Sequence, residues 1–213
     1  PWRSIDGNGD APSAMPRLEV LIRSLFEKRR LLDYLQNFVI CEMDGDTYIK
    51  KIAGYHQFFA VNKAVNQTVR ASGSGGDKRI GVMYHTTGSG KSVSMSLYAG
   101  KIVKHPAMEN PTLVVVTDRN DLDGQLFSTF CGAEALLRQT PEQADDRADL
   151  RKLLAVASGG VVFTTIQKFS MTEAERAAGT AYPVLTERRN VVVIVDEAHR
   201  TQYGFDARID SKT

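Results

Sequence analysis

The chain has 213 residues, with 27 Lys and Arg against 25 Asp and Glu, for a formal net charge of +2. With 42% hydrophobic and 24% charged residues it has the composition of a globular protein, which excludes a low-complexity or collagen-like chain. No apolar run reaches membrane-spanning length, and the first residues lack a basic-then-apolar signal pattern, so a cytoplasmic protein is expected.

Residues 1–16 are rich in Gly, Pro, Asp and Ser and read as an irregular lead-in. Asp6-Gly7-Asn8-Gly9-Asp10 has the opening of a calcium loop. It fails further on, where Ala11 stands in place of the turn glycine and Arg17 in place of the bidentate Glu. Pro16 suits a first helical turn. Leu18, Leu21, Ile22, Leu25 and Phe26, continued by Leu31, Leu32 and Leu35, predict one helix running towards Asn37, with Lys28-Arg29-Arg30 on its solvated face. Residues 38–42 and 47–52 predict two short strands about an Asp44-Gly45 turn. Residues 54–70 predict a helix with Phe58, Phe59, Val61, Val65 and Val69 near one side, and 71–77 a flexible loop.

The pattern then alternates. A strand is expected at 80–85, a helix at 91–104, a strand at 112–117, a helix at 121–130, a helix within 141–151, and strands at 161–165 and 191–195. Such alternation predicts an α/β fold with a parallel sheet covered on both faces. Ligands of these sheets sit beyond the carboxyl ends of the strands, where the chain carries Lys91, Asp118, Thr165 and Asp196. Cys41 and Cys131 are far apart, which argues for buried free thiols rather than a disulfide or a zinc site.

Two stretches carry chemistry. The first is RIGVMYHTTGSGKS, residues 79–92. Gly88 and Gly90 let the backbone approach an anion, and the amides of the loop lie at the positive end of the helix that follows. Thr86, Thr87, Gly88, Ser89 and Gly90 would line a phosphate cradle. Lys91 would place its charge beside the β- and γ-phosphates, and the Ser92 hydroxyl would hold Mg²⁺. His85 occupies the position where the usual pattern has its first glycine. The second stretch is VVVIV followed by Asp196-Glu197-Ala198-His199. An apolar strand ending in two carboxylates would set Asp196 to hold Mg²⁺ and Glu197 to polarise a water that attacks the γ-phosphate.

This pair, in this order, resembles motifs I and II of superfamily-two helicases and translocases of the DEAH-box spelling. Gln57 stands upstream where that superfamily has its adenine-reading glutamine. Thr117-Asp118-Arg119 and Thr164-Thr165-Ile166-Gln167-Lys168-Phe169 resemble its motifs Ia and Ib, which implies DNA contacts through Thr117, Asp118, Arg119, Thr165, Gln167 and Lys168. His199 of the DEAH spelling would couple the nucleotide to the rest of the motor. The wording of YHQFFAVNKAV, MYHTTGSGKS, VVVTDRNDLDGQLFSTF, FTTIQKF and IVDEAHRTQYG is similar to the restriction (R) subunit of type I restriction–modification enzymes.

The resemblance implies a RecA-like P-loop domain, with ATP and Mg²⁺ as cofactors. The partners it implies are double-stranded DNA and the modification and specificity subunits. It further implies ATP-driven DNA translocation coupled to cleavage by a nuclease domain outside this chain. Residues 1–53 are then a helix-plus-hairpin connector and 54–213 the first RecA-like motor domain, ending after motif II. A second motor domain, with an arginine finger, would follow. Two other readings are another superfamily-two DNA or RNA helicase, and a nucleotide-gated binding module. Glu197 speaks against the latter, since a pure switch needs no catalytic base.

Overall fold

The computed structural model describes residues 2–86, 88–117, 124–171, 173–179 and 184–196. They fall into two compact units, residues 1–108 with 129–138 and residues 109–128 with 139–213.

The first unit opens with the irregular lead-in. The Asp6 carboxylate there accepts from the backbone and side-chain amides of Asn8, as in an ordinary Asx turn. The expected single helix is two, α1 (Arg17–Ser24) and α2 (Lys28–Asn37). The break has a local cause. Glu27 leaves the helical region at φ −60°, ψ 130°, and its carboxylate accepts from the amides of Arg29 and Arg30, capping a new helix. The leucine side is also not the buried side. Val20, Ser24 and Tyr34 are buried, while Leu18, Ile22, Leu32 and Leu35 are exposed. The hairpin β1 (Val39–Asp44) and β2 (Thr47–Ile52) pairs Asp44 with Thr47, leaving Gly45 and Asp46 in the turn. Gly45 has φ +58°, which a first central turn position of this kind favours in glycine.

Helices α3 (Tyr55–Ser72) and α4 (Lys91–Val103) form the centre of this unit. An aromatic cluster of Trp2, Tyr34, Phe38 and Phe58 packs over α3, with the Phe38 and Phe58 rings 4.6 Å apart. Phe38, Val61, Leu97, Ile102 and Leu137 are almost wholly buried, each stabilising by about 1.5–3 kcal/mol. The short helix α6 (Glu134–Leu137) lies against α4, where a Cβ on Gly100 would fall 2.5 Å from Leu136 Cγ. Glycine is what permits that approach. Lys101 of α4 binds both carboxylate oxygens of Asp33 at 2.5 and 2.6 Å and Asn62 Oδ1 at 2.5 Å, tying α4 to α2 and α3.

Residues 80–85 are not a strand. The segment is irregular, with Val82 94% and Tyr84 87% exposed. Gly81, at φ +123°, interrupts the short apolar run with a backbone conformation that strands do not contain. The thiols also differ from expectation. Cys131 is exposed and Cys41 half-buried, though both are free.

The second unit is built on a four-stranded sheet in the order β4–β5–β3–β6, parallel throughout. Its strands are β3 (Thr112–Thr117), β4 (Pro141–Gln143), β5 (Val161–Thr165) and β6 (Val191–Val195). Every residue of β3 and β5 is buried, as expected for strands covered on both faces. β4 was not expected, since Pro-Glu-Gln carries no strand signature; among the described residues it pairs along β5 alone. Helix α7 (Arg147–Leu154) begins on an Asp146 cap and buries Leu150 and Leu154 against Val114, Val116 and Val162. α5 (Gln125–Gly132) belongs partly to each unit, and α8 (Glu173–Ala177) leads towards β6.

Candidate functional site

The glycine loop stands at the head of α4. Gly88 has φ +77° and Gly90 φ +81°, and Gly90 is the residue from which α4 starts. Both conformations cost an L-residue about 1–2 kcal/mol. Gly88 turns the chain tightly enough for Ser89 N–H to donate to Thr86 O at 3.1 Å. The first turn of α4 carries no acidic residue, so its amides and the Lys91 ammonium present one sign of charge. Lys91 and Ser92 are both half-buried at this helix start. Thr87 lies outside the described residues.

Gln57 is held close to the loop. It is buried, its Oε1 accepts from Gly54 N–H at 2.8 Å, and its Nε2 donates to Gly90 O at 3.1 Å and Ser94 Oγ at 3.2 Å. The side chain expected to read adenine therefore binds the backbone at the starts of α3 and α4. A Cβ on Gly90 would lie 2.8 Å from Gln57 Nε2, a second reason for glycine there. Sequence reasoning passed over Ser94 and His56. His56 Nε2 lies 3.4 Å from Ser89 O, and its place beside Gln57 on α3 is the signal that could have found it.

His85 stands beside the same loop, its Nδ1 3.4 Å from Ser89 Oγ and its ring centre 5.7 Å from that of His56. Burial, then the neighbouring His56 and Lys91, hold the His85 imidazole below its ordinary value, so it is neutral near pH 7. A cleft of 270 Å³ borders His56 and is lined also by Tyr55, Phe59, Lys63 and the lead-in residues Ser4 and Asp10.

In the second unit the polar residues gather at the carboxyl edge of the sheet. Thr117 and Thr165 are register partners at the ends of β3 and β5. Both are buried, with Thr117 Oγ1 donating to Thr164 O at 3.5 Å. Asp196 follows β6, and its N–H donates to Val116 O at 2.9 Å, carrying the ladder one residue past the strand. Gln167 is exposed on the 3-10 turn after β5, while Lys168 donates its ammonium to Ala144 O. Asp118, Arg119, Glu197 and His199 lie outside the described residues. Among the described residues no cluster of three His, Cys, Asp or Glu side chains forms a metal site. Ser92 stands at the start of α4 in the first unit and Asp196 after β6 in the second.

The family model for the SWI2/SNF2 ATPase matches residues 56–211, from the start of α3 to beyond β6. The chain belongs to the SWI2/SNF2 ATPase family. Its parallel sheet and glycine loop are those of a P-loop ATPase motor domain. This SWI2/SNF2 ATPase chain is 51% identical over 98% of its length to the type I restriction enzyme HindI endonuclease subunit of Haemophilus influenzae, covering 20% of that protein. It is 38% identical over 88% of its length to the putative type I restriction enzyme MjaIXP endonuclease subunit of Methanocaldococcus jannaschii, covering 17% of it. With the type I restriction enzyme SsaAORF53P endonuclease subunit of Staphylococcus saprophyticus it shares 30% identity over 72% of the chain. The chain thus spans about a fifth of the length of the curated relatives it matches. None of the described helices is long and apolar enough to cross a membrane.

Proposed function

We propose that this chain is the ATP-hydrolysing motor segment of a type I restriction enzyme R subunit, driving movement along double-stranded DNA in the cytoplasm. What supports the reading is one element end in each unit. A glycine loop with two positive-φ residues starts α4, and the backbone N–H of Asp196 carries the sheet ladder one residue past β6.

In this reading residues 1–53 connect to an upstream nuclease domain and 54–213 belong to the first motor domain. Thr86 to Gly90 cradle the phosphates, Lys91 neutralises the β- and γ-phosphates, and Ser92 with Asp196 holds Mg²⁺. Bound Mg²⁺ would supply charge neutralisation to the transferring phosphoryl group. Glu197 orients and deprotonates the attacking water, and His199 couples the site to the motor. Thr117, Asp118, Arg119, Thr165, Gln167 and Lys168 form the track for DNA phosphates, with exposed Gln167 the most accessible of those described. Modification and specificity subunits complete the assembly.

The test uses the full-length subunit. Glu197→Gln retains ATP binding and loses DNA-stimulated turnover, whereas Lys91→Ala weakens nucleotide binding itself. Equal turnover in wild type and Glu197→Gln would remove the base assignment. Failure of the subunit to co-purify with modification and specificity subunits would favour a different superfamily-two motor.

A further inference from the structure

Ser89, at the crown of the glycine loop, is bracketed by two imidazoles. Its hydroxyl donates to Thr86 O at 2.6 Å, so the 3.4 Å contact with His85 Nδ1 requires His85 to be the donor there. Its carbonyl accepts only, so the 3.4 Å contact with His56 Nε2 requires His56 to donate from that nitrogen. The two contacts fix complementary tautomers and leave His85 Nε2 and His56 Nδ1 as the remaining ring nitrogens. His56 is folded back over the start of α3, close to Gly54, with Tyr55 edge-on to it. Asp10 and Lys63 line the cleft beside His56.

The charged groups that act on His85 are cationic or potentially so, namely His56 and Lys91, and burial acts in the same direction. His85 therefore stands neutral beside a lysine at the positive end of a helix. A polyphosphate on the loop would add negative charge beside His85. Its charge favours the imidazolium form, as any opposite charge within about 4–6 Å does.

We propose that His85 takes up one proton when a nucleotide polyphosphate occupies the glycine loop and so becomes a charged, phosphate-positioning residue. The proton comes from solvent, and His85 keeps its Nδ1–H bond to Ser89 while gaining a second N–H. His85 thereby does electrostatically what the glycine usual at this position does not. His56 holds the Ser89 carbonyl and keeps the loop in register for it. The inference rests on the reading of the loop as an ATP site.

The sign of the effect follows from linkage. His85 binds its proton less readily in the free protein than in the complex. Nucleotide affinity therefore rises as pH falls through the value His85 has in the complex, and levels off below its value in the free protein. One proton limits the slope to about tenfold per pH unit.

The experiment is titration of the full-length subunit with Mg²⁺ and a non-hydrolysable ATP analogue. Calorimetry from pH 6 to 8.5, in buffers of differing ionisation enthalpy, counts the protons taken up. The analogue's own phosphate ionisation is common to wild type and variants and cancels in their difference. Wild type is expected to tighten roughly 3- to 10-fold more than His85→Gln between pH 8 and 6, and to take up a fraction of a proton more. His56→Gln is expected to weaken binding at all pH values and to shrink the proton difference. Identical pH profiles and proton counts in wild type and a folded His85→Gln, both binding the analogue, would overturn the proton coupling alone. Absence of binding by wild type at every pH would overturn the ATP-site reading together with it.

Discussion

Replacing Lys101 by Met removes the cation that joins three helices while keeping its unbranched stem. Lys101 Nζ lies 2.5 and 2.6 Å from the Asp33 carboxylate oxygens and 2.5 Å from Asn62 Oδ1, with the Phe38 ring centre 5.1 Å away. The Lys101 and Asp33 side chains are only 16% and 26% exposed, so solvent screens the pair incompletely. Hydrogen bonds to a charged group contribute about 1.5–3 kcal/mol. Asp33 retains Asn37 Nδ2 at 2.8 Å and can rehydrate at its exposed edge, which limits the loss. A local destabilisation of about 2–3 kcal/mol is expected. Native-state hydrogen exchange at amides of α2 and α4 reads this directly, as roughly 30- to 150-fold faster exchange through local opening. Asp33→Asn should reproduce part of the loss, and the double variant should fall short of the sum by about 1–2 kcal/mol. Exchange within twofold of wild type in Lys101→Met would refute the view that this cation ties α4 to its neighbours.

Gly90→Ala meets both a φ of +81° and Gln57 Nε2 at 2.8 Å, so it should raise the dissociation constant for ATP by about tenfold, a cost of 1–2 kcal/mol. Gly75→Ala, with open space around its Cβ, should leave that constant unchanged in the same titration. Tyr98 is buried and donates to Thr68 Oγ1 at 2.6 Å, since the Thr68 proton goes to Ala64 O. Burial pushes its hydroxyl up to about 12, so stability from the neutral phenol is complete below pH about 10 and fades as pH rises towards about 12. Ultraviolet difference spectra should show a tyrosine titrating near pH 12 whose signal disappears in Tyr98→Phe, and a titration unchanged by that substitution would contradict it. The Cys131 thiol is exposed but raised by burial and then by Glu134, so iodoacetamide should label it slowly at pH 7 and faster towards pH 9. A rate independent of pH across that range would count against this.

The sheet was legible because its strands are dense in β-branched residues and end sharply. VVVIV and TLVVVT both form parallel strands as that pattern predicts, TLVVVT buried along its whole length and VVVIV fully buried only at Val192. The helix after the glycine loop was legible for the same reason its loop was, since Gly-Lys-Ser announces both. Residues 80–85 read as a strand because side-chain type was visible and partner was not; a strand forms only where an edge accepts its hydrogen bonds. The leucines of α1 and α2 kept their helical spacing, but spacing alone does not choose which side faces a neighbour. Glu27 carried the missing stop signal in a residue type that the helix interior also welcomes. Within the candidate site, Gly88, Gly90 and Asp196 were findable from local pattern. Ser94 was not, because its part depends on α3 and α4 meeting across more than thirty residues of chain, and His56 was marked only by its place beside Gln57.

The sheet also has a gradient of restraint. β3 is hydrogen-bonded on both sides and buried along its whole length, whereas among the described residues β6 is bonded along β3 alone, with Val193 53% and Val195 43% exposed. A strand held by a single ladder opens at lower free energy than one held by two. Asp196, the proposed Mg²⁺ ligand, is thus carried by the softer margin of the sheet, while the ends of β3 and β5 are carried by its stiff centre. Small displacements of that margin would reposition the carboxylate without disturbing the core beneath it. Among the described residues the outer edge of β6 carries no second ladder, and such an edge is a template on which another extended segment can lay down hydrogen bonds.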